Sequence, residues 1–337
     1  MIQRHFIRVF ILGFMMIAYT ACVSDTKNPS ETNVTKDDVD EPTTQRKIPK
    51  FDRDSAYAYV AKQVSFGPRV PNTDAHKACK TWLSAKLKEF GATVIEQDFT
   101  ATAYTGTVFN STNIIGQFNP DRKRRILLGA HWDSRMMADK DDERQDEAID
   151  GADDGASGVG ALLEIARQIN KNGIDIGIDI IFFDAEDNGE DNGENSYSWC
   201  LGSQYWAKNT HVKDYDAMYG ILLDMVGAKD ARFAQEDLSM QIHPQLVNKI
   251  WDLAASMKQG KYFVKAKGGG VTDDHVFVSR GTGIPMIDII NLPGGTKTFG
   301  HYHHTHDDNM DIIDKNTLYA AGQVVLAVLY RQNNGTF

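Results

Sequence analysis

The sequence predicts an α/β protein built on a single open, twisted, mostly parallel sheet that is flanked by helices. Short apolar stretches rich in β-branched residues predict four buried strands, at 126–130, 176–183, 221–223 and 285–290. Between them, segments such as 158–169 and 246–257 carry apolar residues every three or four positions and predict helices. Strands and helices that alternate in this way form a parallel sheet with both faces covered.

The composition is that of a globular domain and argues against a nucleic-acid partner. The chain has 337 residues, of which 42% are hydrophobic, enough for a sizeable core. Its formal net charge is -10 at pH 7. Proteins that bind nucleic acid need basic surfaces, and the short run 122–125 is interpreted as a solvated turn before a strand.

The first residues predict export. Arg4 and Arg8 precede the apolar stretch 9–19, which is too short to span a bilayer as a helix, so we interpret residues 1–21 as a signal peptide. Cys22 follows two small residues, a pattern that resembles the bacterial lipoprotein signal, in which this thiol is acylated. The expected location is therefore a periplasmic or outer-membrane face, with membrane attachment through lipid. The alternative is simple secretion with an incidental cysteine.

The organisation after the signal is a tether followed by one domain. Residues 22–50 contain almost no large apolar side chains, so they predict a lipidated, disordered tether, and 51–337 predict the catalytic domain. Only Cys79 and Cys200 remain once Cys22 is lipidated. A core of this size does not need a disulfide, so both are predicted to be buried free thiols.

Acids and histidines follow every predicted strand. They are His131 and Asp133 after the first strand, Asp184, Glu186 and Asp187 after the second, Asp224 at the end of the third, and the run 301–308 after the fourth. In open α/β sheets the loops at the carboxyl ends of the strands form the binding crevice, so these side chains are expected to converge.

A catalytic zinc ion usually has three protein ligands, and Asp154, Asp187 and His304 would supply that set from separate loops. Each position has another interpretation. Asp154 is in a segment that could cap a helix, the histidine-rich run could be an exposed metal scavenger, and the acidic loop 188–196 could hold calcium. Glu186 and Asp187 adjoin at one strand end, where successive side chains point opposite ways. One is therefore expected to bind metal and the other to transfer protons.

Eight motifs in order carry a family resemblance: AHWDS, GADDGASG, FFDAEDNGE, LGSQYWA, LLDMVGA, TDDHVF, GIPMIDI and HHTHDDN. Together they resemble the glutaminyl cyclase branch of the zinc aminopeptidase superfamily, from about residue 126 to the C-terminal helix. The resemblance implies an enzyme with one zinc ion per chain. Its reaction would convert the N-terminal glutamine of peptides and proteins to pyroglutamate and release ammonia.

The resemblance also implies residue roles. It makes Asp154, Asp187 and His304 the zinc ligands, Glu186 the general acid/base, Asp224 and Asp273 a hydrogen-bonded carboxylate relay, and Trp199, Phe299 and His303 the lining of the substrate pocket. His131 matches a second-metal ligand of the aminopeptidases, which cyclases keep without using as a ligand.

The chain departs from the animal cyclases at two of these positions. Asp187 replaces a glutamate ligand, and His303 replaces a tryptophan, which changes the pocket. A two-zinc aminopeptidase remains an alternative, for which an almost complete ligand and base set is present: His131, Asp154, Glu186, Asp187, Asp224 and His304. A binding lipoprotein without activity is a further alternative, but it would be expected to have lost ligands.

Overall fold

The computed structural model describes residues 44–191, 195–292 and 299–337, all of them in one compact unit. Cys22 and the predicted signal peptide lie outside these ranges, as does part of the acidic loop considered for calcium. Among the described residues no helix is long and apolar enough to cross a bilayer.

The described strands form one six-stranded sheet and one separate pair. The strands are β1 (Thr93–Thr102), β2 (Val108–Phe118), β3 (Arg125–His131), β4 (Gly177–Phe183), β5 (Gly220–Asp224), β6 (Phe233–Gln235), β7 (Phe263–Lys267) and β8 (Met286–Ile290). The order in the large sheet is β1-β2-β4-β3-β5-β8, and β6 pairs with β7. Strands β4, β3, β5 and β8 run parallel, whereas β1 and β2 join antiparallel at one edge. The predicted mostly parallel sheet is confirmed.

Helices cover both faces of the large sheet. They are α1 (Arg53–Val64), α2 (Asp74–Glu89), α3 (Ala156–Asn172), α4 (Leu201–Lys208), α5 (Asp237–Ile242), α6 (Pro244–Ser256), α7 (Asp274–Thr282) and α8 (Lys315–Asn333). Alternate residues of β3 point to opposite faces: Ile126 and Leu128 join the core with α1, α3 and α8, and Leu127 joins the core with α4 and α7. Both faces are therefore buried.

The edge hairpin of β1 and β2 was not predicted. β1 alternates exposed and half-buried residues, so it lacks the continuous apolar run that marks the buried strands. β2 is buried but carries polar side chains that find partners elsewhere, such as Asn113, which donates to Gln97 and to the Gly202 carbonyl. The predicted solvated turn is also wrong at Arg125, which is buried in β3 with Nε 2.7 Å from Asp179 Oδ2.

The tether boundary needs a correction, because residues 44–50 contact the domain. The Thr44 amide donates to Asp175 at 2.6 Å, and the Arg46 guanidinium pairs with the same carboxylate at 2.6 Å. Gln323 donates to the Pro49 carbonyl at 3.1 Å. These partners are more than 120 residues away along the chain, so local composition could not reveal them.

Candidate metal centre and active site

The predicted site residues meet in one cleft at the carboxyl ends of the parallel strands. The cleft has a volume of about 490 Å³, and its lining includes Lys140, Asp154, Glu186, Asp187, Trp199, Asp224, Asp273, Phe299, His303 and His304. His131, at the end of β3, lies directly beneath it, in contact with the lining carboxylates.

The proposed ligands Asp154, Asp187 and His304 lie close together. Nε2 of His304 is 3.0 Å from Asp187 Oδ1 and 3.8 Å from Asp154 Oδ2. The Oδ2 atoms of Asp154 and Asp187 are both buried and accept no hydrogen bond from any described residue. Buried carboxylate oxygens without a partner are costly, and a divalent cation between them would remove that cost. The donor set, two carboxylates and one imidazole, fits zinc.

The protonation equilibria of these groups also fit a cation site. Burial, reinforced by nearby carboxylates, raises the pKa of Asp154 to about 6 and of Asp187 to about 7. Burial and the cations Arg135 and Lys140 lower the pKa of His304 well below its usual value. The ring is therefore neutral near pH 7 and can offer a lone pair to a metal.

A second group of metal-binding type shares Asp154. Nε2 of His131 lies 3.0 Å from Asp154 Oδ1 and 3.2 Å from Asp224 Oδ1, and one ligand atom from each of the three residues lies within 4.8 Å of the others. His303 forms a similar group with Asp154 and His304. Asp154 is thus shared by two groups of metal-binding type.

The backbone around Asp154 needs a glycine. Gly155 has φ +90°, and a Cβ there would come within 2.8 Å of both the Asp133 carbonyl and the His131 ring. The absence of a side chain thus lets the Asp154 loop approach the end of β3. His304 also has a left-handed backbone, with φ 61°, which is uncommon for a non-glycine residue.

Glu186 and Asp187 lie in the loop after β4, beyond the strand that was expected to alternate their side chains. Ala185 has φ 53° and turns the chain out of the extended conformation. Asp133 then holds the loop, because its two oxygens accept from the Glu186 and Asp187 amides at 3.0 and 3.3 Å. The two acids still face different neighbours: Asp187 faces His304, whereas Glu186 accepts from the Cys200 thiol at 3.1 Å.

The carboxyl group of Glu186 is poised for proton transfer. Burial raises its pKa well above the usual value, and the carboxylates of Asp273 and Asp187 add to the effect. The Cys200 thiol donates a hydrogen bond to Oε1 of Glu186, while Oε2 accepts no hydrogen bond from the described residues. Cys79 and Cys200 are both buried and free, as predicted.

The relay predicted between Asp224 and Asp273 is only partly visible in the geometry. Asp273 caps α7 by accepting from the Asp274 amide at 2.5 Å, and burial together with Asp224 raises its pKa to about 6. Asp224 contacts His131, whereas Asp273 groups with His275 and Asp288, a buried acid of β8 that was not identified from the sequence. The hydrogen bond between Asp224 and Asp273 stays a prediction.

Four aromatic rings form a continuous stack along one wall of the cleft. Trp199 stacks on His304 with ring centroids 5.8 Å apart, His304 on His303 at 3.7 Å, and His303 on Phe299 at 4.2 Å. The Lys140 ammonium lies 3.0 Å from Nδ1 of His303. The wall thus joins the three predicted pocket residues to a proposed zinc ligand.

Two further site residues, Arg135 and Asp139, were missed. The Arg135 guanidinium lies over the Trp199 ring, 4.9 Å from its centroid, and donates to the Asp187 carbonyl at 2.8 Å. It also pairs with Asp139, whose Oδ1 lies 3.6 Å from Nδ1 of His304. The four-residue spacing of Arg135 and Asp139 was the only signal in the sequence, and it does not indicate which distant groups they contact.

A helix-covered, mostly parallel sheet with carboxylates and histidines gathered at its strand ends defines a metal-dependent α/β enzyme. A family model described as peptidase family M28 matches residues 113–329, more than half of the chain. The chain therefore belongs to peptidase family M28.

Similar solved structures include bacterial proteins. A Zn-dependent exopeptidase from Parabacteroides distasonis is 55% identical, with a TM-score of 0.82 over 84% of this chain and 99% of that one. A glutaminyl cyclase from Bacteroides thetaiotaomicron, bound to N-acetylhistamine, is 49% identical, with a TM-score of 0.82 and the same coverage. The bovine glutaminyl-peptide cyclotransferase is 25% identical over 283 residues, 74% of each chain.

Proposed function

We propose that this chain is a glutaminyl-peptide cyclotransferase, which converts N-terminal glutamine of peptides and proteins to pyroglutamate and releases ammonia. The observation that carries the proposal is the pairing of Glu186, a buried carboxyl with a raised pKa, with the adjacent Asp187, whose oxygen faces His304. A proton-transfer group thus lies one residue from a cation site, in a cleft with an aromatic wall. Relatives named glutaminyl cyclase support the same activity.

Asp154, Asp187 and His304 would hold the zinc ion, which when bound would supply Lewis-acid polarisation of the substrate's side-chain carbonyl. Glu186 accepts a proton from the substrate's α-amine as the nitrogen bonds to the carbonyl carbon of the side-chain amide. It returns the proton to the amide nitrogen as the carbon–nitrogen bond breaks, so that ammonia leaves. The wall of Trp199 and its neighbours packs the glutamine side chain in a folded conformation, which favours ring closure over attack by water.

A two-zinc aminopeptidase is the second candidate, because the group of His131, Asp154 and Asp224 is intact. The two functions differ in metal content and in product. The cyclase uses one zinc per chain, whereas the aminopeptidase uses two metals about 3.5 to 4 Å apart.

The experiment that separates them uses the purified full-length chain in detergent. It is incubated with a glutamine-initiated dipeptide and, in parallel, with a leucine-initiated dipeptide. We expect ammonia and a pyroglutamyl peptide in equal amounts from the first, no cleavage of the second, loss of activity with a chelator, and one zinc per chain. Free amino acids without ammonia, together with two zinc ions, would establish the aminopeptidase instead.

We also propose that the chain is an exported bacterial lipoprotein attached through Cys22, at a periplasmic or outer-membrane face. The support comes from the sequence: basic residues, a short apolar stretch and small residues directly before Cys22. Replacing Cys22 with serine should move the protein from the membrane to the soluble fraction without changing kcat. A wild-type protein that already fractionates as soluble would contradict the anchor.

A further inference from the structure

The buried side chain of Asp308 joins the loop that carries Asp154 to the turn that carries His304. Its Oδ1 accepts from the Asp153 amide at 2.7 Å and its Oδ2 from the Asp154 amide at 3.1 Å. Its carbonyl accepts from the Ala152 amide at 3.2 Å. The side chain is fully buried, and 154 positions of sequence separate it from Asp154.

Asp308 also belongs to the turn of His304. The Asp308 amide donates to the Thr305 carbonyl at 3.2 Å, and the Thr305 amide donates to the Tyr302 carbonyl at 3.0 Å. Successive bonds thus fix Asp308 relative to His304. Because Asp308 also accepts a hydrogen bond from the Asp154 amide, the distance between the proposed ligands Asp154 and His304 depends on Asp308.

Both oxygens of Asp308 accept from backbone amides, and none of the groups of metal-binding type among the described residues includes Asp308. We propose that Asp308 is a positioning residue that sets the separation of Asp154 and His304 and thereby the zinc affinity of the centre. This inference rests on the proposed zinc-binding role of those two residues. It assigns a task to a carboxylate that none of the catalytic steps uses.

An acid fits this position better than its amide. The Asp153 and Asp154 amides donate to different oxygens of Asp308, and asparagine offers only one of those two oxygens. In an Asp308→Asn variant the remaining oxygen still accepts a hydrogen bond from one backbone amide. The side-chain NH₂ group then faces the N–H of the other backbone amide, and two donors cannot pair. The loop of Asp154 would then shift away from the turn.

A second connection keeps the loops together in such a variant. Asp153 Oδ1 accepts from the Gly227 and Ala228 amides at 2.6 and 2.9 Å, and its Oδ2 accepts from the Tyr302 hydroxyl at 2.5 Å. The fold therefore does not depend on Asp308 alone. The expected defect is in the spacing of the ligands.

The test compares Asp308→Asn with Asp307→Asn, a neighbouring exposed acid whose replacement changes the net charge equally. Zinc affinity is measured on full-length protein by competition with a chromogenic chelator, and the unfolding temperature is measured on the metal-free protein. Residues that orient metal ligands are typically worth 10- to 100-fold in metal affinity. We expect a zinc affinity roughly 10- to 100-fold lower for Asp308→Asn than for Asp307→Asn. Saturating zinc should restore kcat.

A zinc affinity of Asp308→Asn within twofold of the control would overturn the inference. An unchanged zinc affinity with a lower unfolding temperature would likewise reduce Asp308 to a structural residue. If Asp308→Asn does not fold, Asp308→Ser carries the same test, because its hydroxyl can accept one amide without presenting a second N–H group. Failure of the proposed function would show separately, as wild-type protein that binds zinc without forming pyroglutamate.

Discussion

At the scale of single residues, the adjacent acids Glu186 and Asp187 are expected to have different roles because their surroundings differ. Glu186 accepts from the Cys200 thiol at Oε1 and has Oε2 3.8 Å from Nδ1 of His131, whereas Asp187 directs an oxygen at His304. Asp133 fixes both through their backbone amides. Substitutions at the two positions should therefore have opposite signatures.

Replacing Glu186 with glutamine should preserve zinc binding but reduce kcat by roughly 10²- to 10⁴-fold, the usual worth of a positioned acid/base. The amide keeps the size of the side chain but cannot accept the proton. Zinc content and pyroglutamate formation are measured on the same preparation. Near-wild-type turnover would move the acid/base role to another carboxyl, with Asp273 the first candidate.

Replacing Asp187 with asparagine removes an anionic ligand with little change in size. Zinc affinity should fall steeply, and chelator-treated protein should reload poorly, which titration with zinc would measure. Stoichiometric zinc at wild-type affinity in this variant, with zinc lost from Glu186→Gln, would mean that the two roles are exchanged.

The sequence could predict which acids and histidines converge in the cleft, but not the residues that position them. Asp154, Asp187 and His304 follow strands or lie in recognisable motifs, so their convergence at the strand ends follows from the topology of parallel sheets. Arg135 and Asp308 act through contacts with residues more than 50 and 150 positions away, respectively. Nothing in their local sequence specifies those partners.

At the scale of elements, the packing of α3 against β5 places two site carboxylates. Asp154 lies just before α3 and Asp224 ends β5. A Cβ on Gly158 would come within 2.1 Å of the Leu223 carbonyl and 3.0 Å of Ala130 Cβ. The glycine therefore allows the helix to lie directly on the strand.

Replacing Gly158 with alanine should force α3 away from β5. We expect a loss of about 1–3 kcal/mol in the free energy of unfolding, the usual cost of overpacking, and weaker zinc binding. Urea denaturation and zinc titration measure the two effects. Gly260→Ala is the control, because a Cβ there meets no atom within 4 Å. Equal stability of the two variants would contradict the packing argument.

The elements that the sequence predicted are those buried on both faces. The parallel strands β3, β4, β5 and β8 are predominantly apolar, with few polar interruptions, a pattern that needs no tertiary information. The hairpin of β1 and β2 depends on pairing with β4 and on polar contacts with distant loops. Its sequence alone does not identify it as part of the sheet.

At the scale of the whole molecule, the buried acids link the stability of the chain to pH and zinc. Burial raises the pKa of Asp154 from 3.8 to about 6 and of Asp187 from 3.8 to about 7. Such groups bind protons more tightly in the folded chain. Their contribution to stability is therefore fully present below the unfolded pKa and is lost as the pH rises to about 7.

Zinc replaces those protons, so its stabilising effect should increase with pH. We expect the rise in unfolding temperature on adding zinc to be larger at pH 7.5 than at pH 5.5, as measured by differential scanning calorimetry. Protons should be released on zinc binding near pH 6, where both acids are partly protonated in the metal-free chain. An equal shift at the two pH values would contradict the proposed ligand set.

The stack of four rings along the cleft has an optical consequence. Trp199 lies parallel to the His304 ring, with 16° between the planes, and under the Arg135 guanidinium. Its indole is thus in contact with a group whose electronic state changes when a cation binds. The emission of Trp199 should therefore respond to occupancy of the centre, and a Trp199→Phe variant identifies its share of the signal. The protein carries its own fluorophore for following metal exchange in real time.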